Sequence, residues 1–239
     1  RTIFNITGLF VAIAAVTVLL FVKEDFTRPE TEEKTSTWQD FKKVAAIQPI
    51  PFIFVLVFII QFSLIGLNPM VSLLVDELSG GTNSAFFAGL AVSVMGFANM
   101  TASPKLGKLT DRKGAQYVLF GSLIGAAVFS IPQAFVTELW QLIVMRFLVG
   151  LCLGGLLPSA NTLIRKLSPN GMESRTYGFS NSFLFLGSMF GSMAGGLIAS
   201  AVGIRGLFLI AALLQVIGVF IIYYRVIPKL RKKRGCSSG

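Results

Sequence analysis

Few residues in this chain can carry acid–base or nucleophilic chemistry. It contains no histidine, which removes Ser–His pairs and imidazole metal ligands. No Asp or Glu falls inside a long apolar run, which removes an intramembrane aspartyl dyad. The two cysteines, Cys152 within an apolar run and Cys236 near the end of the chain, have no metal-ligand neighbours and are not placed to pair. No enzyme, cofactor or metal site is therefore expected. What remains is charge and polarity in unusual places. Arg146 lies well inside an apolar segment, where a cation costs on the order of 3 kcal/mol or more, so it must face water, a polar partner or a ligand. Asp111 and Arg112 sit in Gly107-Lys108-Leu109-Thr110-Asp111-Arg112-Lys113-Gly114, between two apolar runs. The glycines there allow a tight turn, and the carboxylate can accept hydrogen bonds from a helix N-terminus or pair with a base. Gly178, Gly187, Gly191, Ser192, Gly195 and Gly196 fall mostly at helical spacing, which lets a second backbone approach closely. Gln61, Asn68, Asn99, Asn161 and Asn181 are polar side chains inside apolar runs, and are candidates to line a path through them.

The elements that must position these residues are written in the hydropathy. Of 239 residues, 54% are hydrophobic and 13% charged, and mean hydropathy is +0.74; a soluble domain carries roughly 25% charged residues. The apolar residues gather into seven runs, 3–22, 52–75, 86–103, 117–133, 139–164, 177–202 and 206–224, most of them long enough to cross a hydrocarbon core of roughly 30 Å as helices. The fold expected is all-α, embedded in a lipid bilayer, with about seven transmembrane helices. A net charge of +10 would point to nucleic acid in a soluble protein. Here Lys and Arg fall in alternate connections, 23–43, 105–113, 165–175 and 225–234, while the others hold Asp76, Glu77 and Glu138 with Arg205 as the lone base. This is an orientation signal: the basic connections are expected in the cytoplasm and the N-terminal end outside. No nucleic-acid partner is expected. The first run is too long and too poor in basic residues for a secretory signal, and no small-residue cleavage site follows it.

The expected organisation is a transmembrane helix at 1–22, a cytoplasmic linker at 23–49, a six-helix transmembrane bundle at 50–227 and a basic cytoplasmic tail at 228–239. The linker mixes charges of both signs, and 38–46 could form a short helix lying at the interface. One span and a linker ahead of six compact spans is natural for a chain cut near the middle of a twelve-helix protein.

Three segments resemble the major facilitator superfamily of transporters. The stretch 107–114 is similar to its loop signature G-x-L-x-D-R-x-G, with Gly107, Leu109, Asp111, Arg112 and Gly114 at the matching positions. Arg146-Phe147-Leu148-Val149-Gly150 resembles its R-x-x-x-G helix motif. Gly178, Gly187, Gly191, Ser192, Gly195 and Gly196 follow the spacing of the antiporter motif of drug-efflux members, with Ser192 where that motif has Pro. Ala115 and Gln116 replace the usual basic pair after the loop signature.

The resemblance covers essentially the whole chain and is nearest to bacterial multidrug-efflux permeases. It implies family helix six, the central linker and the C-terminal bundle of a secondary transporter that works by alternating access. It also implies a small amphipathic substrate, proton coupling and a cell-membrane location. Because no carboxylate lies in the spans, the resemblance places the protonation site in the N-terminal half, which this chain lacks. Two other readings stand beside it: a seven-helix receptor or sensor, and an inactive truncated paralogue.

Overall fold

The computed structural model describes residues 2–21, 36–81, 83–169 and 171–230. Residues 23–35 of the expected linker and the tail from 231 onward lie outside them. The chain divides into two units, 1–36 and 37–239. The first contains one helix, α1 (Thr2–Phe21). It is apolar throughout, the pattern of a helix enclosed by lipid or protein rather than water.

The second unit is a helical bundle. It comprises α2 (Thr37–Ala46), α3 (Ile50–Ser79), α4 (Ser84–Lys113), α5 (Ala115–Ser130), α6 (Leu139–Leu167) and α7 (Glu173–Ile221). A 3₁₀ turn, Pro132–Phe135, follows α5, and a π-helical turn, Ile222–Val226, continues α7 toward Leu230. Five of these stretches are long and apolar enough to cross a membrane. The last, Glu173–Leu230, has 58 residues, enough for two crossings at about 20 residues each. Its break is Gly203, whose φ of 77° lies outside the helical region and is open to glycine at little cost. With α1, the spans number seven, as hydropathy indicates.

The helices outrun their apolar runs. Hydropathy fades at 75 and 103, yet α3 continues to Ser79 and α4 to Lys113. Helical hydrogen bonding does not stop at the membrane surface; it stops where a residue can leave the helix. Gly80 does so at φ 61° and Gly114 at φ 102°. The 107–114 segment is therefore the last two turns of α4 closed by one glycine rather than a loop. Gly107 is helical, and only Gly114 makes a turn. Likewise, helix continues through the expected start of the tail at 228 as far as Leu230.

Two packed cores hold the bundle. One gathers Ile53, Leu56, Leu119, Leu156, Leu163 and Ile164 near the basic ends of the helices. The other gathers Leu74, Ala91, Leu142 and Phe208 near the opposite ends. The short helix α2 joins the first through an aromatic ladder. Phe41 meets Phe179 edge-on at 5.3 Å, and Phe183 stacks on Phe54 at 5.3 Å. An ion pair between Asp40 of α2 and Arg175 of α7 fixes the same contact electrostatically, with the carboxylate buried.

Candidate functional site

Three local arrangements carry the residues singled out by sequence. The first is the close approach of α3 and α7. Gly187, Gly191 and Gly195 repeat every four residues, so they share one stripe of α7. Phe58, Phe62 and Gly66 repeat identically on α3. β-Carbons added at Gly187, Gly191 and Gly195 would lie 2.5, 2.6 and 2.5 Å from the carbonyl oxygens of Phe58, Phe62 and Gly66. Backbones this close leave no room for any side chain. Gly178 and Gly196 stand apart: both are exposed, and a β-carbon at either would have nothing within 4 Å. Ser192 is also exposed, and its hydroxyl donates to the Ser188 carbonyl at 2.8 Å. The motif thus splits into three packing glycines and three residues on an open face.

The second arrangement is the end of α4. Asp111 and Arg112 are exposed, and neither makes an ion pair among the described residues. Between them and the bundle lies Thr110, buried, whose hydroxyl donates to the Leu106 carbonyl at 2.8 Å and lies 2.9 Å from the Ser159 hydroxyl. A hydroxyl has one proton. With that of Thr110 given to Leu106, Ser159 is the donor, and this bond pins the α4 terminus to α6. Gly154 and Gly155 of α6 give it room: a β-carbon at Gly154 would meet the Ser103 nitrogen of α4 at 2.9 Å, and one at Gly155 would lie 3.1 Å from Leu106 of α4 and strike the Ser122 hydroxyl of α5. Thr110, Ser159 and these two glycines are contact positions of this helix end that sequence motifs do not mark. The four-residue step from Gly150 to Gly154 is the available signal, since a β-carbon at Gly150 would strike the Met95 carbonyl on α4.

Arg146 forms the third. It is 3% exposed, on the α6 segment between Leu142 of one core and Val149 of the other. Its guanidinium lies 5.8 Å from the ring centroid of Phe208, and Nη1 approaches the Met95 sulfur at 3.5 Å. Nε and Nη2 have no hydrogen-bond partner among the described residues. A stacked, weakly hydrated guanidinium tolerates such a place better than an ammonium would, yet two buried donors remain unpaired, an arrangement proteins rarely keep.

The polar candidates do not gather in one place. Gln61, Asn68 and Asn99 are half-buried, Asn161 and Asn181 exposed. Asn68 has a buried, unpartnered Oδ1 one residue before Pro69, and the Asn161 carbonyl accepts a hydrogen bond of 3.0 Å from the Tyr177 hydroxyl. None of the five lines the groove of about 400 Å³ among α4, α5 and α6 or the cavity of about 550 Å³ at the far end of α5.

A bundle of long apolar helices, sealed by glycine contacts and holding one buried unpaired arginine, defines a multi-pass membrane protein. The chain belongs to the Major Facilitator Superfamily, whose family model matches residues 53–235. It is 35% identical to the uncharacterised MFS-type transporter YuxJ of Bacillus subtilis over 96% of this chain and 58% of YuxJ. It is 36% identical to the multidrug resistance protein MdtG of Serratia proteamaculans, over 89% of this chain and 52% of that protein. The multi-drug resistance efflux pump PmrA of Streptococcus pneumoniae is 34% identical over 87% and 52% respectively. The chain thus spans about half the length of the curated relatives it matches.

Proposed function

We propose that this chain acts as the C-terminal bundle of a secondary active transporter that exports small amphipathic molecules through the cell membrane by alternating access. The match of the family model over 53–235, together with relatives named for multidrug resistance and efflux, carries the reading. The basic connections face the cytoplasm under the positive-inside rule, with the N-terminal end of this chain outside. The N-terminal half of the transporter is the proposed partner of the bundle, and it also holds the protonation site, because the seven apolar runs of this chain contain no carboxylate.

In this reading Asp111 and Arg112, unpaired at the end of α4, contact the other half in one conformation and release it in the other; such differential contact is what biases a two-state rocking motion. Gly107, Leu109 and Gly114 shape that helix end. Gly178, Ser192 and Gly196 lie on the open face of α7, available to the translocation path with Gln61, Asn68, Asn99, Asn161 and Asn181. Arg146 lies between Met95 of α4 and Phe208 of α7 and offers the N–H groups of Nε and Nη2 in one of the two states.

Accumulation of ethidium, an amphipathic cation, tests this in cells lacking their own efflux pumps. The full-length protein is expected to lower accumulation, a protonophore to restore it, and Asp111→Asn to weaken the effect. Equal accumulation with and without the protein would overturn the reading.

A further inference from the structure

The groove among α4, α5 and α6 has no part in the transport reading. Its lining is almost entirely apolar: Ala102 and Leu106 of α4, Gly121 of α5, and Leu151 and Cys152 of α6. Thr101, Lys105 and Gly121 at its mouth are exposed, so it opens to the outside of the bundle. Its volume of about 400 Å³ falls within the roughly 300–1,000 Å³ of small-molecule sites.

One end of the groove is basic. Lys105 lines it, and Lys108 and Arg112 follow at steps of three and four residues, which sets all three on one stripe of α4. All three are exposed and none is in an ion pair among the described residues. Lys105 lies two residues past 103, where the apolar run of α4 ends, which sets it at the level of the headgroup layer, where a lysine keeps its stem on apolar surface and its ammonium among polar groups. Tyr117, 46% exposed, lies one turn before Gly121 on α5 and brings to this end the amphipathic ring typical of a membrane interface.

We propose that this groove holds an anionic glycerophospholipid, one acyl chain lying on Leu151 and Cys152 and the phosphate meeting Lys105, with Lys108 and Arg112 extending the positive field. Basic pockets between transmembrane helices take anionic headgroups for the same electrostatic reason. The apolar lining accepts the chain, and the cationic end selects the charge. The groove lining itself contains none of the residues assigned to the gate or the translocation path; Arg112, outside the groove, is the one residue shared with the proposed gate.

Native mass spectrometry of the full-length protein, extracted from phosphatidylglycerol vesicles and from phosphatidylcholine vesicles, reads retained lipid directly. The expected result is one retained phosphatidylglycerol and no retained phosphatidylcholine. Lys105→Gln is expected to lower retention about fivefold, the factor one surface cation contributes to holding an anionic lipid. Gly121→Phe tests the cavity itself: no atom lies within 4 Å of a β-carbon there, so the ring enters open space and displaces the acyl chain without disturbing the fold. Lys166→Gln, an exposed cation on α6 outside the groove, is expected to retain the lipid. Equal retention of both lipids, or retention unmoved by both Lys105→Gln and Gly121→Phe, would overturn the proposal, as would the absence of any retained phosphatidylglycerol.

Discussion

At the scale of single residues, Arg146 and the glycines of α7 make opposite demands on the bundle. Arg146 is expected to lower stability: among the described residues this buried cation meets only a thioether and an aromatic face, with Nε and Nη2 unpaired. Arg146→Met keeps the aliphatic stem and the contact with Phe208 while removing the charge. It is therefore expected to raise the melting temperature of the purified protein by several degrees, at about 2–4 °C per kcal/mol for a domain of this size, while transport falls. A drop in melting temperature would show that the guanidinium stabilises the fold. The glycines do the reverse. Gly191→Val drives a side chain into the Phe62 carbonyl, 2.6 Å from where its β-carbon would stand, and is expected to cost at least about 1–3 kcal/mol. Gly196→Ala, on the open face, is expected to be neutral or to stabilise by up to about 1 kcal/mol through helix propensity. Thermal unfolding of the two variants side by side checks the contrast.

At the scale of elements, α4 and α6 are joined by small residues along their length and by one buried polar bond near the end of α4. The Thr110–Ser159 pair is the only side-chain hydrogen bond between these helices among the described residues apart from the Arg146–Met95 contact. Thr110→Val and Ser159→Ala, alone and together, form a double-mutant cycle. A coupling of about 1 kcal/mol is expected in unfolding, the scale of a net intramolecular hydrogen bond. Because this bond sets the position of the α4 terminus that carries Asp111, Thr110→Val is also expected to slow transport more than its stability loss accounts for; parallel efflux and unfolding measurements separate the two effects.

At the scale of the whole molecule, α2 is where the linker meets the bundle. Its aromatic contacts reach α7, whose Phe183 in turn stacks on α3, and the Asp40–Arg175 pair anchors it to the first turn of α7. Asp40→Asn is expected to cost roughly 1.5–3 kcal/mol, the worth of a hydrogen bond to a charged group, and to increase proteolytic cleavage near 36–46. The exchange Asp40→Arg with Arg175→Asp restores the attraction, so protection is expected to return in part. Cleavage that stays as fast in the exchanged protein as in Asp40→Asn would mean that α2 is held by its aromatic contacts instead.

Hydropathy alone determined that the chain crosses a bilayer about seven times, because the cost of exposing backbone and charge to hydrocarbon is local and leaves long unbroken apolar runs. The motif residues, read in order, also pointed to the family whose model matches the chain. Their roles in packing were decided only in three dimensions. Gly187, Gly191 and Gly195 look no different in sequence from Gly178 and Gly196; what separates them is the carbonyls of α3, more than 120 residues earlier, which face three of the five. Arg146 announces a buried charge, but Met95 and Phe208, which enclose it, come from helices on either side in the chain and share no pattern with it. The end of α4 looks like a loop in sequence because hydropathy reports where the membrane ends, whereas the helix runs on through Gly107 and ends at Gly114, where φ is 102°.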